Sequence, residues 1–449
     1  PFQGRVALVV GGAATMTAVP RPEIVPAPPL AVGVGLPWDV PVEDAVAVIA
    51  DARAAHGDTF LVESGRDRYL FTFSPRGVES FYALPEEAAS KGVADYLMLR
   101  RKLPDGVFDG RRTLPGSLFR RDDVASYLRH LDEALVQTVA ELGDAGTVDV
   151  FAVTRRLGHR MGLASWAGPG SADGQAFEDL VAAFDDLDGS DAFVHPDAMA
   201  AVAASGKVAE QAALEVVVDH VGRALDILEA HRDQHELFAR IADAWSGEPE
   251  DVRRSGVALD VALIHIASMS NLAAALGWAL VDLVDHPAEL AAVRAGEAGV
   301  AERCALESTR LAQRSIMART VLTPVTLDVG DAVYLVPPGC TVATLLPLLN
   351  TTAAPGLDTW EPDRWQRHRL VDTSALASPQ LVTAFGHGRH SCPAQPFSLA
   401  AMSAALTTLC TTYDLAPDWT AYPRPVPAQI GGVARTDGPC PLRYRLRAR

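Results

Sequence analysis

The chain has 449 residues, 49% hydrophobic and 21% charged, with no biased tract longer than a few residues, so it reads as globular throughout. A formal charge of -17 argues against a nucleic-acid partner, because displacing phosphate counterions takes a surplus of Lys and Arg. Five cysteines without a Cys-x-x-Cys pair indicate neither a disulfide framework nor a zinc cluster, and a reducing, cytoplasmic setting is the expectation.

The apolar stretch Val6 to Val19 is interrupted by Gly11, Gly12, Thr15 and Thr17 and is too short to cross a bilayer, so no membrane anchor is expected. Residues 20–40 carry Pro20, Pro22, Pro26, Pro28, Pro29 and Pro37, which remove amide donors and disfavour helix; an extended surface arm is predicted. Residues 1–40 are therefore read as an N-terminal extension and 41–449 as a single domain. Apolar residues recur at helical spacing from Val42 to His56, and two strands follow, around Phe60 and Arg68–Phe73, with a turn at Gly65. Amphipathic patterns predict helices from Asp122 to about Gly143, then over 148–165, 174–187, 196–231 and 233–245.

Asp260 to Asp285 is apolar nearly all round, which places that helix inside the protein. A short helix containing Glu307 and Arg310 comes next, and β-branched alternation over 316–348, broken by Gly330 and Pro337-Pro-Gly, predicts a small sheet. A Pro/Trp-rich coil runs from Ala353 to Trp365, and Pro396 to Tyr413 reads as a strong helix. The expected fold class is mainly α with small β-sheets.

The densest chemical signal is Phe385-Gly-His-Gly-Arg-His-Ser-Cys392, followed by Pro393, Ala394 and a helix. A thiolate ligand needs a low pKa, and backbone amides together with the start of a helix favour the anion. Gly386 and Gly388 allow the tight turn that aims amides at sulfur, Phe385 can shield it, and His390 is placed to meet an anionic group. The bland alternative is a buried free cysteine in a glycine turn.

This stretch resembles the haem-binding loop of cytochromes P450, with Ala394 standing where the family usually has glycine. Glu307-Ser-Thr-Arg310 resembles the family's ExxR pair, and Trp360-Glu-Pro-Asp-Arg364 its aromatic-x-Pro-x-Arg motif; on spacing alone the first is an ordinary helix ion pair. The resemblance implies a cytochrome P450 fold holding haem b, with Cys392 as the iron ligand. It also implies a buried ion network of Glu307, Arg310 and Arg364, and propionate partners His390, Arg319 and Arg112, although Arg111 is equally available. On the central helix, Ser270 and Asn271 fall where the family carries an acid and an alcohol that relay protons. Asn cannot titrate near neutral pH, so it positions water or peroxide, or else only satisfies a backbone carbonyl in a buried helix. An Asn at this place resembles the prostacyclin synthase and sterol 7α-hydroxylase branch. Met98, Ala267, Met269 and Ala274 are the candidate substrate contacts.

The implied function is monooxygenation of a hydrophobic small molecule, with dioxygen and electrons from a separate ferredoxin and ferredoxin-reductase donor docking near Arg389. A peroxide-using or peroxide-rearranging enzyme and a non-catalytic haem protein are the alternatives. The opening Gly4-Arg-Val-Ala-Leu-Val-Val-Gly-Gly also looks like a short-chain dehydrogenase start, but it lacks the third glycine, and no Tyr-x-x-x-Lys exists in the chain.

Overall fold

The computed structural model describes residues 23–108, 124–189 and 193–448. The helix α1, Ala45–His56, starts where the Asp44 carboxylate accepts the Val46 and Ala47 amides, and it feeds an antiparallel pair, β1 (Thr59–Ser64) and β2 (Asp67–Thr72). Then come α2 (Pro75–Ala83), β3 (Ala89–Ser90) and α3 (Lys91–Leu99), with Ser74 and Ser90 capping the two helices. The helical middle comprises α4 (Val124–Leu142), α5 (Val150–Trp166), α6 (Gly174–Asp188), α7 (Pro196–Ala204), α8 (Val208–Asp226) and α9 (Glu236–Ala244), with the short strand β4 (Ala145–Asp149) before α5. The long α10 (Glu250–Asp285) is followed by α11 (Pro287–Arg294) and α12 (Val300–Leu311).

Four strands follow: β5 (Ile316–Val321), β6 (Val325–Asp328), β7 (Val333–Val336) and β8 (Thr341–Leu345). Beyond them lie α13 (Leu346–Thr352), the hairpin β9 (Trp365–Gln366) and β10 (Arg369–Leu370), α14 (Gln395–Thr412), β11 (Tyr413–Pro417) and β12 (Pro441–Leu446). The main sheet runs β1-β2-β8-β5-β3, with only the β2–β8 pair parallel, and a second sheet runs β11-β12-β4. The fold is mainly helical with small sheets, as the sequence pattern requires.

Two expectations change. The predicted helix over 196–231 breaks into α7 and α8, because Gly206 and Lys207 both take positive φ. Lys207 is held in that costly conformation by its ammonium, which donates to the Arg100 and Leu103 carbonyls at 2.7 and 2.9 Å. The described part of the predicted surface arm is not peripheral either. Ile24, Ala31, Leu36 and Trp38 are buried, and Val25 exchanges backbone hydrogen bonds with Leu335 while Ala31 donates to Leu61. Amides lying between the prolines serve as sheet donors that a count of prolines conceals.

α10 is long and apolar enough to cross a membrane by length and composition, yet 67% of that stretch is buried inside the protein. Its start carries Glu250 and Asp251 against the helix dipole, and Pro287 stops it. It packs closest on α5: a side chain at Gly162 would put its Cβ 2.7 Å from the Met269 sulfur, so glycine is needed there for contact. At its far end Asp282 is buried and accepts hydrogen bonds from the Ser308 and Tyr422 hydroxyls at 2.5 and 2.6 Å.

Burial raises the Asp282 carboxyl to about 6, against the pull of those two hydroxyls. The folded protein therefore binds this proton more tightly than the unfolded chain does. The contribution of Asp282 to stability is greatest in acid and is lost as pH rises from about 4 to about 6. Asp282→Asn removes the charge; its one oxygen still accepts the Tyr422 hydroxyl, and its amide donates to the Ser308 oxygen in place of the bond accepted there. Relative to the parent, it is expected to gain up to about 3 kcal/mol in denaturant unfolding at pH 8 and nothing near pH 4; a gain equal at both pH values would refute this assignment.

Candidate functional site

The Glu307 carboxylate, with no exposed surface, gathers five donors. The Arg310 guanidinium grips it bidentately at 2.9 and 2.7 Å, the Arg364 Nε donates at 2.8 Å, the Trp365 indole at 2.7 Å and the Glu361 amide at 3.1 Å. Glu307 and Arg310 share one face of α12 because they are three residues apart. Arg364 arrives from the turn before β9. The three charges named from sequence are thus brought together, and two tryptophan and main-chain donors that spacing could not show complete the set.

This network reaches the cysteine loop through Asn350. Arg310 also donates to the Asn350 and Leu357 carbonyls at 2.5 and 2.7 Å. The Asn350 side chain in turn donates to the Arg310 and Thr383 carbonyls and accepts the Thr383 amide. The Thr383 hydroxyl donates to the Gly386 carbonyl at 3.1 Å and accepts the Phe385 amide at 3.2 Å. Phe385, half-buried against the main core, accepts the Cys392 amide on its carbonyl at 2.7 Å. Gly386 has φ +81°, and a Cβ there would lie 2.7 Å from the His390 carbonyl, so the loop closes only with glycine.

Cys392 is half-buried. Burial pushes its thiol up, and the amides of Ala394 and Gln395 at the start of α14 pull the other way. Among the described residues no group of three His, Cys, Asp or Glu side chains can hold a bare metal ion.

Of the expected propionate partners, Arg112 lies outside the described residues, as does Arg111. Arg319 and His390 converge on one carboxylate, Glu86: Arg319 Nη2 is 3.2 Å and His390 Nε2 3.8 Å from the same Glu86 oxygen. Arg319 also donates to the Ala89 and Phe81 carbonyls at 2.8 and 3.0 Å. The Arg319 guanidinium and the His390 imidazole, placed around a carboxylate beside a glycine-cradled cysteine, are donors that would suit the propionates of a haem. Glu86 gave no signal in the sequence.

On α10, Ala267, Asn271 and Ala274 share one face at about 100° per residue. Ala267 and Asn271 are exposed in the middle of a helix whose next thirteen residues, Leu272 to Val284, are all buried, so this face is left uncovered locally. Asn271 Oδ1 accepts the Val433 amide at 2.8 Å, pinning the loop after Gln429 to the helix; it satisfies a backbone amide rather than a carbonyl. Met269 is a correction: it points toward α5, under Gly162, and serves helix packing rather than the Asn271 face. Met98 packs partly buried against the cluster that contains Trp38 and Met199, and Ala274 is buried in the main core.

Ser270, expected to stand in for an acid, instead borrows one. Its hydroxyl donates to Asp188 at the end of α6 at 3.2 Å, and Asp188 is paired with Arg155 at the same distance. Next to it lies a buried chain that periodicity could not reveal. The Trp166 indole is only a donor, so His265 Nδ1, 3.2 Å away, must accept. His265 then carries its proton on Nε2 and donates to His159 Nδ1 at 2.9 Å, and His159 Nε2 donates to Asp185 at 3.2 Å. Burial, then the neighbouring His159 and Arg155, push His265 far below the usual histidine range. His159, His265, Asp188 and Ser270 line a common cavity with room for about one water.

Glu307→Gln leaves two arginines, one fully buried, short of their counter-charge. It is expected to cost at least about 3 kcal/mol in denaturant unfolding. Arg310→Lys should cost a similar amount, because an ammonium cannot reproduce the planar fork. A loss under about 1 kcal/mol for either would mean that the network does not brace the loop.

No family model matches the chain. Over 213 residues it is 25% identical to the Homo sapiens 24-hydroxycholesterol 7-alpha-hydroxylase, covering 41% of this chain and 43% of that enzyme. The match thus spans less than half the length of that relative, and it supports a distant relationship to the cytochromes P450.

Proposed function

We propose that this protein is a haem-thiolate oxidoreductase of the cytochrome P450 type, most simply a monooxygenase of an apolar small molecule that takes electrons from a separate donor. The observation that carries the reading is the unbroken path of hydrogen bonds from Glu307 through Arg310, Asn350 and Thr383 to Phe385 and Cys392. Such a path fixes a loop whose function depends on where one sulfur sits. The distant similarity to a hydroxylase agrees with it. A haem bound through Cys392 would supply the redox and oxygen-activating chemistry.

The chain's own residues then have defined tasks. Cys392 provides the thiolate, with the Ala394 and Gln395 amides offsetting the cost of the charge. Ala267 and Ala274 leave room for an apolar ligand on the face of α10 that Asn271 shares. Asn271 Oδ1 is committed to Val433, so any hydrogen bond it gives toward a ligand comes from Nδ2. A proton taken up from solvent by Asp188 can pass to the Ser270 oxygen as Ser270 gives its own hydrogen onward, and Arg155 keeps Asp188 in place. The exposed Arg389 next to the loop offers a cation to an acidic ferredoxin-type donor.

A second reading is favoured by Asn271, which cannot titrate: a peroxide is bound and used or rearranged without electron delivery. Purified protein supplied either with hydrogen peroxide or with reductant and dioxygen, against a panel of sterols, terpenoids and aromatic compounds, separates the two. Turnover only with reductant and dioxygen is the expected result, and turnover with peroxide alone selects the second reading.

Cys392→Ser is expected to remove the carbonyl difference band typical of thiolate haem, and a retained band would overturn the assignment. Asp188→Asn and Ser270→Ala are each expected to lower coupled turnover by roughly 10- to 100-fold at neutral pH with substrate binding unchanged, measured as product formed per electron consumed. Equal coupling in parent and variants would remove Asp188 from the proton path.

A further inference from the structure

Arg319, His390 and the N-terminus of α3 together form an anion site that the protein fills with its own Glu86. One Glu86 oxygen accepts the Ser90 hydroxyl at 2.6 Å and the Gly92 amide at 3.1 Å; the other accepts the Lys91 amide at 3.2 Å and faces Arg319 and His390. Burial opposes the charge on Glu86, but these donors outweigh it and hold the carboxyl below its ordinary range. The contrast in exposure matters: Arg319 is 1% exposed and fixed by two backbone carbonyls, whereas the Glu86 side chain is 43% exposed. The cation is built into the fold, and the anion is free to swing into solvent.

We propose that Glu86 is a latch for cofactor loading, an internal carboxylate that occupies the Arg319 site in the haem-free protein and is displaced by a haem propionate. The inference rests on the haem-thiolate reading above. Exchange of one carboxylate for another leaves Arg319 never without a counter-charge, which is where an uncompensated buried cation would be most costly. The latch stabilises the haem-free chain and weakens haem binding by the same linkage, since the incoming propionate must first release it.

The test is haemin titration of the purified, haem-free full-length protein, followed by Soret absorbance and by thermal unfolding. Glu86→Gln is expected to lower the haem-free melting temperature and to tighten haemin binding about tenfold, while Glu86→Asp, which keeps the charge on a shorter arm, falls between. The gain should disappear with haem dimethyl ester, which has no propionate charge to compete. Folded Glu86→Gln protein that binds haemin no more tightly than the parent, or that shows the same gain with the ester, overturns the latch. A parent protein that takes up no haemin at all would instead count against the functional reading itself.

Discussion

One buried carboxylate organises the part of the fold that carries the Cys392 loop. Glu307 has no contact with water and five donors around it, and the two guanidiniums among them come from segments more than fifty residues apart in sequence. A charge in such a place is tolerable only while every partner is present, so α12, the turn before β9 and the Trp365 indole are locked to one geometry. The loop that carries Cys392 inherits this precision through Asn350 and Thr383. A glycine-containing loop is thereby positioned by a rigid part of the molecule.

α10 has a different character on each side. Toward α5 it is packed so closely that Gly162 can carry no side chain, and Met269 and Ala273 fill the seam. Toward the Val433 loop it presents Ala267 and Asn271, and part of that face stays open in an otherwise buried helix, while Ser270 turns to Asp188 on α6. Close packing on one side fixes the position of polar groups on the other, because the helix cannot rotate without opening the seam.

The sequence made the skeleton of this site readable and left its electrostatic surroundings dark. Spacing alone left Glu307 and Arg310 an ordinary helix pair; the resemblance joined them to Arg364, and the structure brings the three charges together. Helix and strand types were also legible from periodicity, except where tertiary contacts decided: Lys207 holds a left-handed break inside an apparently continuous helix, and the proline-rich arm finds partners in Leu335 and Leu61. Glu86, Asp188 and the histidine pair were beyond reach, because each meets a partner on another element, Arg319, Ser270 and Trp166 among them, that no local pattern ties to it. Met269 was misassigned for the complementary reason: the hydrophobic pattern of α10 does not say which of its apolar faces meets α5.

The chain running from Trp166 through His265 and His159 to Asp185 has a fixed polarity, because an indole can only give its hydrogen. Every ring nitrogen in it already has one role, donor or acceptor, and none is left over. A further proton on His265 would set hydrogen against hydrogen at Nδ1, where the indole already points. The row therefore ties α5, α10 and α6 together in one direction only, from the indole at one end to the carboxylate at the other.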